Sequence, residues 1–90
     1  EEEPVAFHEA WNVYPNPVMG GDLNLPTTGV QGSVDVEVYD LAGRRWMQEA
    51  FTMTGERQLT LDVNDLAPGH YVVRMVHGGQ SWAAKFVVRR

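Results

Sequence analysis

Leu66-Ala67-Pro68-Gly69-His70-Tyr71-Val72-Val73-Arg74-Met75-Val76 is the stretch from which the fold can be read. Pro68 presets its own φ near about −65° and Gly69 can adopt φ > 0, which suits the two central positions of a type II turn. A strand follows at once. Tyr71, Val73 and Met75 alternate with Val72, Arg74 and Val76, so the two sets point to opposite faces. Leu66 and Tyr71, spaced across the Pro-Gly turn, also predict a tyrosine corner. In that arrangement a Tyr at the start of a late strand bonds the chain a few residues upstream. This strand is expected to be central, with the other segments covering it.

Working outward, the cleanest period-2 signal is Ser33–Tyr39, with Val34, Val36 and Val38 facing inward and Asp35, Glu37 and Tyr39 outward. Asp40-Leu41-Ala42-Gly43 reads as a hairpin connection with Gly43 at positive φ. The chain returns over Arg44–Met53, where Trp46 and Met47 both qualify as core residues. Leu59, Leu61 and Val63 mark a further strand, and Leu23 and Leu25 a short one stopped by Pro26. Gly78-Gly79 is a tight hairpin. The last strand puts Trp82, Ala84, Phe86 and Val88 on one face and Ala83, Lys85, Val87 and Arg89 on the other. A first strand is read over Val5–Val13, ended by Tyr14-Pro15-Asn16-Pro17, whose prolines remove two backbone donors. No window shows a capped apolar face at helical spacing. The fold class is therefore all-β: a seven-stranded antiparallel immunoglobulin-like β-sandwich with Greek-key elements.

The chain has 90 residues, enough for one domain with little interior volume for a cofactor, and none is expected. Residues 1–10 read as a linker stub and the start of the first strand, residues 11–90 as the domain. With no cysteine there is no disulfide framework and no thiolate chemistry. No apolar run approaches the roughly 20 residues that span a bilayer, so no transmembrane segment is expected. The opening Glu1-Glu2-Glu3-Pro4 has no signal-peptide character and reads as the middle of a longer protein. Residues 1–40 carry eight acids and no Lys or Arg, while residues 66–90 carry Arg74, Lys85, Arg89 and Arg90 and no acid. An acidic chain without a basic cluster is a poor nucleic-acid binder. Its basic C-terminal end can still steer an acidic partner surface.

Catalytic chemistry is hard to place here. His8, His70 and His77 have no partners at ligand spacing. Asp62, Asn64 and Asp65 form an oxygen-rich cluster that Asx turns explain more simply than calcium. Asp35 and Glu37 belong to the outer face, where both are expected ionised and solvated. Trp11, Trp46 and Trp82 could form a sugar-stacking platform, but each falls in an apolar stripe that predicts core packing. The domain is not expected to be an enzyme. An accessory carbohydrate-binding or adhesive module of a secreted enzyme is the alternative.

Three motifs taken together carry a resemblance. Tyr14-Pro15-Asn16-Pro17 opens the domain, and Val38-Tyr39-Asp40-Leu41-Ala42-Gly43-Arg44 follows at mid-chain. Leu66-Ala67-Pro68-Gly69-His70-Tyr71 then precedes a terminal strand ending Lys85-Phe86-Val87-Val88-Arg89-Arg90. In this order and at these separations they resemble a C-terminal sorting domain, type A, of the type IX (Por) secretion system of Gram-negative Bacteroidetes-type bacteria. The resemblance implies a seven-stranded immunoglobulin-like sandwich that directs a cargo fused upstream from the periplasm through the outer-membrane translocon. A sortase-like peptidase would then cleave at its N-terminal side and attach the cargo to the cell surface. Cleavage would fall within residues 1–11 or upstream, although Glu1-Glu2-Glu3 shows no cleavage signature. The matching motif residues are Pro15, Asn16, Pro17, Gly43, Leu66, Gly69 and Tyr71, read as structural. Lys85, Arg89 and Arg90 are the candidates for partner recognition, solvent-facing on a terminal strand whose exposed edge can pair with a receptor. Edge strands also allow a homodimer.

Overall fold

The computed structural model describes the backbone of residues 6–8 and the whole of residues 11–90. Strands run Asp22–Pro26 (β2), Gln31–Asp40 (β3), Arg45–Thr54 (β4), Gln58–Asp62 (β5), Gly69–His77 (β6) and Gln80–Val88 (β7), preceded by the three-residue stretch Ala6–His8 (β1). The expectation of seven full strands is corrected to these six plus one short edge pairing. Val5–Val13 does not continue as a strand: Trp11–Val13 lie outside any strand, while Val5, Glu9, Ala10 and the linker stub Glu1–Pro4 lie outside the described residues. Trp11 and Val13 nonetheless enter the core.

The larger sheet is ordered β1-β7-β6-β3-β4, and β2 pairs with β5 in a second, two-stranded sheet. β6 therefore occupies the middle of the larger sheet, as its apolar alternation requires. Pairing between the strands is antiparallel except at β1, which runs parallel to β7, so a wholly antiparallel fold is corrected too. Val34, Val36 and Val38 of β3, Tyr71, Val73 and Met75 of β6, and Phe86 and Val88 of β7 bury one face of the larger sheet. They share a single core with Leu23, Leu25, Leu59 and Leu61 of the smaller one. Fully burying each such side chain contributes about 1.5–3 kcal/mol, which is why alternation in β2, β3, β5 and β6 was so readable.

Two local expectations are revised. Gly69 has φ +157°, far from the roughly +80° of a type II turn, and it opens β6. The tyrosine corner is present instead: the Tyr71 hydroxyl donates to Ala67 O at 2.6 Å. Trp46 is not a core residue. The β3–β4 register slips between Val38 and Tyr39, pairing Val38 with Met47 and Tyr39 with Arg45. Trp46 is the extra residue of that bulge and stands 50% exposed, whereas Met47 packs against the core.

Candidate functional site

The three sequence motifs meet at one end of the larger sheet. Asp40 of β3 lies opposite Tyr71 of β6, and Tyr71 opposite Phe86 of β7, so one row across the sheet joins the second motif, the third and the terminal strand. The rings of Tyr71 and Phe86 stack there, centroids 5.6 Å apart. Gly69 pairs with Val88, and Leu66 is buried beneath the corner with its N–H donated to Val63 O.

The first motif supplies the outer border of β7. The Tyr14-Pro15 and Asn16-Pro17 peptide bonds are both cis. Between them the Asn16 side chain behaves like a strand residue: its Nδ2 donates to Lys85 O at 3.1 Å, and its Oδ1 accepts the Val87 N–H at 3.0 Å. Val18 continues the pairing. Its N–H donates to Val87 O at 2.7 Å and its carbonyl accepts the Arg89 N–H at 2.9 Å. With β1 alongside Gln80–Trp82, the outer edge of β7 is occupied over both halves. The expected exposed edge of the last strand is thereby corrected.

Lys85, Arg89 and Arg90 are exposed, as expected, but only Lys85 lies within β7, since the strand ends at Val88. The Arg90 guanidinium donates to Val63 O at 3.1 Å and Asn64 O at 3.4 Å, fixing the chain end to the loop after β5. Lys85 also borders a cavity of about 510 Å³ between Trp11–Val13 and Ala83–Lys85. At the second motif Gly43 has φ +89° and donates its N–H to Asp40 O, so it meets a conformational demand of the turn. Open space surrounds the position of a Cβ at Gly43, so packing is not the constraint. The Asp40 carboxylate accepts the Ala42 and Arg44 N–H groups on Oδ1 and the Trp46 indole N–H on Oδ2. Those bonds, the indole's foremost, hold its pKa below the ordinary carboxylate value.

A family model described as the secretion system C-terminal sorting domain matches residues 12–89. The chain belongs to that family, the type IX secretion C-terminal sorting domains. No curated protein matches it. Motif residues of the sorting domain, Asn16, Gly69 and Tyr71 among them, thus border its terminal strand directly, while Gly43 shapes the turn at the same end of the sheet. Sequence reasoning missed Val18, which is fully buried and pairs in parallel with Val88. An apolar residue directly after Pro17 was its only local signal.

The remaining candidates fall elsewhere. The side chain of His8 lies outside the described residues; His70 is exposed, and His77 Nδ1 sits 3.1 Å from Ser33 O. Among the described residues no group of three or more His, Asp or Glu side chains could hold a metal. Asp62 Oδ1 accepts the Asn64 N–H, the Asx turn expected there. Glu37 is not simply solvated. Its side chain is only 15% exposed and sits 3.3 Å from Arg45 and 3.5 Å from Arg74. It also accepts the Tyr39 hydroxyl, which raises the Tyr39 pKa. For a sugar platform the tryptophans are poorly placed: Trp11 is buried, Trp82 is half-buried, and their rings are tilted by 43°. No helix among the described residues is long and apolar enough to cross a membrane.

Proposed function

We propose that this sorting domain acts as a folded address, without catalysis of its own, that guides an exported cargo fused upstream through the type IX outer-membrane translocon. Lys85, Arg89 and Arg90 are the residues read by the machinery, and residues 11–90 are the unit that is read. The observation that carries this is the gathering of all three motifs at one end of the larger sheet, two of them directly on the terminal strand. Asn16 and Val18 border it, Tyr71 stacks on it, and the Gly43 turn lies at the same end of the sheet. A basic chain end held this firmly presents its charges in one geometry, so less side-chain and backbone entropy is lost on recognition. Two sheets around one core support an immunoglobulin-like β-sandwich with Greek-key elements as the platform.

In this reading the domain is recognised in the periplasm. A sortase-like component then cleaves on its N-terminal side and the cargo reaches the cell surface or the medium. Residues 5–90 fused to a periplasmic reporter should bring the reporter to the surface of a Gram-negative host that has the system. A reporter that stays in the periplasm while the domain is folded would refute the proposal.

A further inference from the structure

Among the described residues β4 is the longest open edge: its ten residues pair only with β3, whereas β7 is bordered by β1, Asn16 and Val18. β2 and β5 offer only five residues each. A free strand of this length displays a row of backbone donors and acceptors that another strand can extend, and proteins blunt such edges with Pro, Lys or inward-pointing charge. β4 has no Pro and no Lys. Arg45 is tied to Glu37, which leaves Glu49.

The register places Glu49 where a charge is least expected. Met47 lies opposite Val38, Glu49 opposite Val36 and Phe51 opposite Val34, so Glu49 stands in the core-facing row between two apolar side chains packed against the core. It is exposed and makes no hydrogen bond or ion pair among the described residues. An added strand would cover this carboxylate, and burying it without a cation is unfavourable. A second β4 strand carries only Arg45 as a cation, and that side chain is tied to Glu37 on the opposite face of the sheet. Antiparallel pairing of two β4 strands about Glu49 sets the two carboxylates face to face, and a two-residue shift sets each against Phe51 with its twin on the diagonal.

We propose that β4 is a docking edge for a strand of a different protein, one that carries Lys or Arg opposite Glu49 with an apolar residue two positions to either side. Glu49 then selects the partner and keeps copies of the domain apart. This goes beyond the reading of the basic chain end and does not depend on it.

The test uses the isotopically labelled 90-residue chain and hydrogen exchange by NMR. Two short peptides of alternating threonine and valine are added, with lysine or glutamate at the centre of the valine row. The lysine peptide should slow exchange of amides within Gln48–Thr52 and bind about tenfold or more tighter than the glutamate peptide, a difference of roughly 1.4 kcal/mol or more. Glu49→Lys should reverse that preference. Glu49→Val should self-associate in sedimentation, and at dilutions where it is monomeric its melting curve should match wild type, since Glu49 is exposed. Slowed exchange at β7 instead of β4, equal binding of the two peptides, binding of neither, or a monomeric Glu49→Val chain would each overturn the proposal.

Discussion

Asp40, Asn16 and Tyr71 each perform a small task with a measurable consequence. Because the folded state holds the Asp40 carboxylate below its ordinary pKa, its contribution is complete above the unfolded-state value. That contribution is lost as the pH falls through the lower folded value. Acid should therefore release the Trp46 indole N–H, seen as a shift of its NMR resonance in that window, and Asp40→Ala should remove the transition. Asn16→Ala leaves Lys85 O and Val87 N–H without their partner. It should cost about 1 kcal/mol in urea unfolding and speed exchange of the Val87 amide. Tyr71→Phe keeps the stack on Phe86 but deletes the bond to Ala67 O. A loss of about 0.5–1.5 kcal/mol is expected in the same measurement. The Asp40 turn was legible, since an Asp three residues before a Gly has a local mechanism. The role of Asn16 was not, because its partners lie 69 and 71 residues away and no local pattern encodes them.

At the level of the strands, β3 and β6 could be read residue by residue, because one face of each is buried and alternation is then imposed by the hydrophobic effect. Gly78-Gly79 was equally plain: His77 pairs with Gln80 across it, and Gly78 takes φ +60°. Trp46 defeated the pattern because a bulge changes which residues share a row, and periodicity carries no sign of one. The state of each edge was also beyond reach, since neighbours of β7 come from residues 6–8 and 16–18 by long-range pairing. Met75 is fully buried in the central strand, so Met75→Ala should destabilise by about 2–5 kcal/mol. Thr52→Ala on the exposed face of β4 should stay within about 0.5 kcal/mol of wild type in parallel denaturant titrations.

For the whole molecule, the charge distribution and the fold agree. Acids dominate residues 1–40, while the chain end is basic and is held by main-chain and side-chain bonds from two separate segments, residues 16–18 and the loop after β5. Lys85 and Arg89 are the informative pair, because their backbone, not their side chains, makes the seating contacts, whereas Arg90 also fastens the chain end. Substituting Lys85 and Arg89 by Ala should leave unfolding within about 0.5 kcal/mol of wild type, as for other exposed positions. The decisive measurement is surface delivery of a reporter fused to residues 5–90 carrying Lys85→Ala and Arg89→Ala, in a host with a type IX system. The domain should fold and the reporter should accumulate in the periplasm. Delivery at the wild-type level would contradict the claim that these charges are what the machinery reads.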